Sequence, residues 1–320
     1  MLTDFDENSF YPNIILQLGL YPAHLNKQFF LDILERMVIN RLACKANQDI
    51  LGAENFKTQI NAIFGQLSSE GSPIKDEKLL YTVTLNGQLL LLMLTEQLEM
   101  IPGVVVKYQN TDGVMAQYPF EVKEKVTQIT KEFEKYINIP LEEVPMKAIY
   151  MENVSSYIAI TENNKVKRKG IFKKIEDKTL KDDSSSNIVA IALEQYFVNN
   201  IPIRQTIENH KDIFDFYIGV KKIDSETYYR YAELINGESV TTDYHDKVLR
   251  FYVTKQSSTI TKIYGSGKTE AVIKGYNTKI AQIHEDKPMD QYKINYNYYV
   301  NQCNKIIDKI FLCDSEINFE

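Results

Sequence analysis

The sequence predicts an α+β fold, and three observations lead there. Two apolar, β-branched runs flank a polar tip between Val104 and Pro119; long segments with apolar residues at helical spacing lie on either side; and a β-rich block fills Lys247–Gln282. With 320 residues, 44% hydrophobic and 25% charged, the chain can bury a sizeable core and divide into two or three subdomains.

From the N-terminus, Phe5 to Leu18 reads as a strand and a turn. "NKQFFLDILERMVINRLACKAN" then has a helical period, and a second helix begins near Gly52 and runs through "AENFKTQINAIFG". The link "NQDIL" is short enough that the two must pack as an antiparallel hairpin. Tyr81 to Met100 is apolar nearly all round and reads as a buried helix. The hairpin Val104–Pro119 follows, its tip Gln109-Asn110-Thr111-Asp112-Gly113 made of the residues that tight turns favour. "EVKEKVTQITKEFEKYIN" sets Val122, Val126, Ile129, Phe133 and Ile137 on one face, as a surface helix does. Strands around an "ENN" turn follow, and the polar, serine-rich stretch Glu176–Asn187 marks a linker and a domain boundary.

Charge and motifs exclude several classes. The net charge of −6 argues against an all-over nucleic-acid coat, yet it conceals two local basic clusters. One is Lys165 to Lys174; the other, Lys247–Gln282, has six lysines and Arg250 against Glu270 alone. Cys44, Cys303 and Cys313 lack zinc-site spacing and point to a reducing compartment. The longest apolar run, Leu89–Leu94, is far below the roughly 20 residues of a bilayer span, and the N-terminus is acidic, so a soluble, unexported protein with no membrane partner is expected. "YGSGKTEA" lacks the first glycine of a phosphate loop, Lys262 standing in its place, and the four histidines have no metal or triad spacing.

Three separated segments combine into one chemistry. Asp6 stands near a strand end in "DENSFYPNII"; Lys57 and Asn61, four apart, share a helix face; Asp112 sits at the hairpin tip. Two carboxylates on separate strands facing helix-borne cations is what two-metal phosphoryl transfer needs, because hard cations take carboxylate oxygens and lysine neutralises phosphates. Asp112 remains open to a second reading as a turn residue only.

In order, "DENSFYP", "KTQINAIFG" and "NTDG" resemble the motifs of the family B DNA polymerases, in particular their phage members, over about residues 1–175. The resemblance implies a polymerase right hand: palm at 1–25 and 71–175, an antiparallel sheet with helices; helical-hairpin fingers at 26–70; and a mixed α/β thumb at 176–320 holding duplex DNA. It implies template-directed DNA synthesis on a primer-template from dNTPs, in phage replication in the host cytoplasm, with two Mg²⁺ ions for which Mn²⁺ can substitute.

By the same resemblance Asp6 and Asp112, with the Glu7 carbonyl, hold metal. Ser9 and Phe10 offer backbone N–H groups to the triphosphate, and Tyr11 lies under the sugar and excludes a 2′-hydroxyl. Lys57 contacts the triphosphate, and Asn61 and Gly65 shape the base-pair pocket. "NRLACKAN" matches the short-fingered pattern, which makes Arg41 and Lys45 the other triphosphate contacts, with Arg36 a rival and a solvated helix face the plain alternative. Tyr157 aligns with the tyrosine of the basic duplex-binding element; Lys167 and Lys169, and in the thumb Lys255, Lys262, Lys268 and Lys274, contact DNA phosphates.

The sequence also departs from the family. Asn110 and Gly113 replace an aspartate and a serine of the hairpin motif, Ala62 and Phe64 stand where Ser and Tyr are common, and Ser155 and Ser156 replace basic residues. The family's exonuclease domain precedes the first motif, so a separate exonuclease-bearing chain or a missing N-terminal part is implied. Three other readings stay open: a catalytically inactive DNA-binding subunit of polymerase ancestry, another palm enzyme such as a reverse transcriptase, and a structural protein with chance matches.

Overall fold

A computed structural model describes residues 1–7, 9–175, 186–281 and 287–315. The chain divides into two compact units, Met1–Ala148 with Thr161–Lys165, and Ile149–Ile160 with Val166 onward. The division falls inside a strand, well before the 176–187 stretch, of which residues 176–185 lie outside the described residues.

In the first unit, strand β1 (Leu2–Glu7) runs straight into helix α1 (Phe10–Leu18). The expected turn over Phe10–Leu18 is therefore a helix. Pro12 occupies the helix's first turn, where a missing N–H has no acceptor to lose, and Ser9 makes the sharp bend with a φ of 57°. Helices α2 (Lys27–Ala46) and α3 (Ile50–Gln66) form the expected hairpin, each opened by a side chain accepting from its own first turn: Asn26 from Phe29 N at 3.0 Å and Asp49 from Gly52 N at 2.9 Å.

Helix α4 (Glu77–Glu99), capped by Asp76, buries Leu79, Val83, Gly87, Leu91, Leu94 and Leu98, the stripe that a 3.6-residue period selects. Its opposite face is not buried as expected: Tyr81, Leu85, Leu89 and Leu92 are exposed. By length and composition the whole helix, unlike the six-residue run at Leu89–Leu94, is long and apolar enough to cross a bilayer. Strands β2 (Val105–Gln109) and β3 (Gly113–Gln117) form the expected hairpin, and α5 (Lys123–Ile137) buries Val126, Thr130, Phe133 and Ile137. Strand β4 begins at Leu141 and extends to Asn153. The order in this unit is β2-β3-β1-β4, antiparallel throughout its recorded pairings, with α1, α4 and α5 sharing its core.

The second unit takes the end of β4, β5 (Ser156–Thr161) up to Ile160, and β6 (Val166–Arg168), the latter two joined by the "ENN" turn. Helices α6 (Asn187–Asn199) and α7 (Ile203–Asn209) follow. Then come β7 (Ile218–Lys221), β8 (Tyr228–Ile235), β9 (Glu238–Tyr244), β10 (Val248–Thr254), β11 (Ser258–Ile263), β12 (Thr269–Ala271) and β13 (Asn277–Ile280), and last α8 (Tyr296–Ser315). They make sheets of order β13-β10-β7 and β12-β11-β8-β9. Tyr299 of α8 is wholly buried and joins helix to sheet, its hydroxyl accepting from Val253 N at 3.0 Å and donating to Phe216 O at 2.8 Å.

A buried ion cluster anchors α6. Glu194 accepts from Arg168 at 2.5 and 2.8 Å and lies 2.9 Å from the Lys174 ammonium. Burial pushes its carboxyl up, but the hydrogen bonds from Arg168 and Lys174 outweigh this and hold it below its ordinary value. A depressed carboxylate contributes stability above its unfolded pKa of 4.5 and loses it as pH falls through the folded value. Glu194→Ala is expected to cost about 2–3 kcal/mol at pH 7, the low end for a broken buried pair because both cations are part-exposed, and the penalty should shrink below pH 4.5 in urea denaturation.

Candidate active site

Strand pairing assembles the acidic side of the site. In the β1–β3 register Asp6 lies opposite Gly113, the residue after Asp112, and in the β1–β4 register it lies opposite Glu142. A Cβ built on Gly113 would stand 2.8 Å from the Phe5 carbonyl and 3.4 Å from Asp6 Oδ1, so the Asp6 carboxylate lies against the backbone next to Asp112. Asp6, Asp112 and Glu142 all line one cavity of about 490 Å³.

The hairpin tip serves both readings of Asp112. Asn110 N donates to Gly113 O at 3.0 Å, and the Asn110 amide oxygen accepts from Asp112 N at 2.9 Å, the local bond that fixes an Asx turn. Thr111 Oγ1 donates to Asp112 Oδ1 at 3.3 Å. Asn110 therefore shapes the turn and Asp112 is the carboxylate presented to the cavity. Gly113, noted above as a departure from the family's motif, has no room for a Cβ.

The opposite wall is cationic and aromatic. Arg41 Nη1 donates to Ser9 Oγ, tying α2 to the β1–α1 bend, and its buried Nε has no partner among the described residues. Lys45 also lines the cavity, whereas Arg36 does not: it is exposed and bonds back to Asp32 O at 3.2 Å on its own helix. From α3, Lys57, Asn61 and Phe64 reach the cavity; Gly65 does not, and a Cβ there would stand in open space. Lys57 is paired with Glu54 at 3.3 Å, but both are largely exposed, and such a pair exchanges readily for a better anion.

Tyr11 forms the floor with Phe10 and Pro12, stacked on Phe64 with ring centroids 4.8 Å apart. Burial, and after it the charge of Asp112, pushes its phenol up, so the hydroxyl stays protonated beside the acidic pair. A Cβ on Gly87 of α4 would lie 3.0 Å from the Tyr11 ring and 3.1 Å from Phe10, so this glycine sets how far the floor recedes. Three contributors escaped the sequence reading. Glu142 is placed by a register that no local signal reveals. Gly87 had one signal, a costly glycine inside an apolar helix, and Phe64 was read only as a departure.

The donor set suits a hard divalent cation. Three carboxylates, Asp6, Asp112 and Glu142, line the cavity, the end of β1 at Glu7 follows Asp6, and the lining has neither histidine nor cysteine. Among the described residues no group of three Asp, Glu, His or Cys side chains is arranged to hold a metal ion by itself.

The remaining candidates lie in the second unit. Tyr157 is buried with the Lys169 ammonium 5.5 Å from its ring, and Lys167 pairs opposite Ala159. Lys262 and Lys268 lie 4.6 and 5.7 Å from the Tyr264 ring; Lys255 follows β10, and Lys274 is exposed before β13. Arg168 and Lys174 of the basic run are instead committed to Glu194.

Gly113→Ala should destabilise the protein by about 1–3 kcal/mol, measured by thermal denaturation, because the methyl meets backbone at 2.8 Å rather than a movable side chain.

No protein-family model matches the sequence, and no curated protein matches it. Among solved structures, the chain is similar to the family B DNA polymerase from the hyperthermophilic archaeon Pyrobaculum calidifontis, with a TM-score of 0.54 and 14% identity over 97% of this chain. It spans 44% of that polymerase's length. That neighbour is archaeal and lends no support to a phage type. The likeness is one of fold: a mixed α/β arrangement with antiparallel sheets, similar to part of that polymerase.

Proposed function

We propose that the chain catalyses template-directed addition of deoxynucleotides to a primer 3′ end, as the polymerising part of a family B-type DNA polymerase. The observation that carries this reading is the cavity of the first unit, where Asp6 and Asp112 face Arg41, Lys45 and Lys57 above the Tyr11 ring. The short link between the fingers helices, with eleven residues between Lys45 and Lys57, leaves no room for the insertion that protein-primed members carry there, which favours priming from a nucleic-acid 3′ end.

The residues divide the work by chemistry. Arg41, Lys45 and Lys57 neutralise the triphosphate, Arg41 with a donor that is buried and unpaired in its absence. Tyr11, stacked on Phe64 and close to Gly87, would present a flat ring to the sugar against which a 2′-hydroxyl would clash. Asp6 and Asp112 would hold the two Mg²⁺ ions, which supply a lowered pKa at the primer hydroxyl and charge neutralisation at the leaving pyrophosphate. Lys255, Lys262, Lys268 and Lys274 offer sequence-independent charge to duplex phosphates.

Asp6→Ala and Asp112→Ala should each slow primer extension about 10³-fold or more while primer-template affinity in a filter or anisotropy assay stays within about threefold. Full-rate extension by either variant refutes the reading. Tyr11→Ala should raise ribonucleotide use relative to deoxyribonucleotide about 10–100-fold in single-nucleotide incorporation, the scale of discrimination that a steric wall provides.

A further inference from the structure

The second unit has a cavity of its own, of about 410 Å³. It opens where two sheet edges approach: Gly219, Val220 and Lys221 belong to edge strand β7, and Glu270 and Ala271 to edge strand β12. Tyr229 of β8 also lines it, fully buried, with a hydroxyl that has no hydrogen-bond partner among the described residues. A buried unpaired hydroxyl is costly, and phenylalanine would pack the same space without that cost. Burial, and then Tyr264, push this phenol up, so it remains a donor.

Three further lining residues are charged. Lys221 and Lys262 supply two ammonium groups against the single carboxylate of Glu270, which already accepts from the Tyr264 hydroxyl at 3.1 Å. Asp224, within electrostatic reach of Lys262, does not line the cavity and accepts from the backbone of Glu226 and Thr227 at 3.0 and 2.7 Å. The volume lies in the range of about 300–1,000 Å³ typical of small-molecule sites and exceeds what a bare phosphate fills.

We propose that this cavity binds one nucleotide of a nucleic-acid strand, with its phosphate between Lys221 and Lys262 and reaching the Tyr229 hydroxyl as Tyr264 turns away from Glu270. The phosphate and the room for its sugar and base follow from the lining; the choice of a nucleic-acid strand as the source rests on the polymerase reading.

The test follows the methyl NMR signals of Val220 and Ala271, which line the cavity, in the full chain. Deoxyadenosine 5′-monophosphate should shift both saturably, deoxyadenosine should not, and an eight-residue oligothymidylate should shift the same signals. Lys221→Ala with Lys262→Ala should weaken this binding about tenfold or more. Tyr229→Phe should weaken it about two- to tenfold without lowering the melting temperature, a pattern that loss of packing does not produce. Equal shifts with deoxyadenosine, or none with the monophosphate, overturn the site. A response to inorganic phosphate alone overturns the nucleotide, and a response to the monophosphate but not the oligonucleotide overturns the strand. An Asp6→Asn chain should give the same shifts. Shifts in a wild-type chain that fails to extend primers would sink the polymerase reading and leave the cavity's nucleotide chemistry standing, while extension without shifts would do the reverse.

Discussion

Strand β1 pairs with β3 in a register that sets Thr3 against Ala116, Phe5 against Val114 and Asp6 against Gly113, and the acidic site depends on it. The register is held from both sides. Phe5, Val114, Met115 and Ala116 are nearly or wholly buried, and buried Asp4 accepts from the Tyr108 hydroxyl at 3.2 Å. Because side chains alternate across a sheet, a slip of one residue would turn Asp6 away from Asp112 and carry Phe5 off its core face. Gly113 adds a second constraint, since any side chain there would push the two strands apart where the carboxylates meet.

The cationic side is built by helices rather than by the sheet. Asn26 and Asp49 start the two helices of the hairpin, and Arg41 fastens one of them to the bend at Ser9. The same bend, in a left-handed backbone conformation, turns the chain from β1 into α1 and so lays Tyr11 on the floor of the cavity. One short segment, residues 6 to 12, thus contributes a carboxylate, a hydroxyl anchor and the aromatic floor, which is why its spacing carries so much of the sequence signal.

What could be read from the sequence was local, and what could not was set by distant partners. Apolar residues at helical spacing announce α2, α3 and α4, and the Asn-Thr-Asp-Gly tip announces the hairpin. Helix α4 misled because leucines on every side conceal which face is covered. Arg36 and Arg41 could not be separated by pattern, yet five residues at 100° each put them about 140° apart on the helix, and the structure turns only Arg41 toward Ser9. Glu142 was invisible because its place follows from pairing with a strand more than a hundred residues earlier. The division inside β4 was equally hidden, since composition does not change there.

If Asp6 and Asp112 form one site for hard divalent cations, Mn²⁺ binding followed by electron paramagnetic resonance in the presence of a dNTP should show two bound ions per chain, with occupancy falling together in Asp6→Asn and in Asp112→Asn. Unchanged Mn²⁺ stoichiometry and affinity in both variants would contradict it.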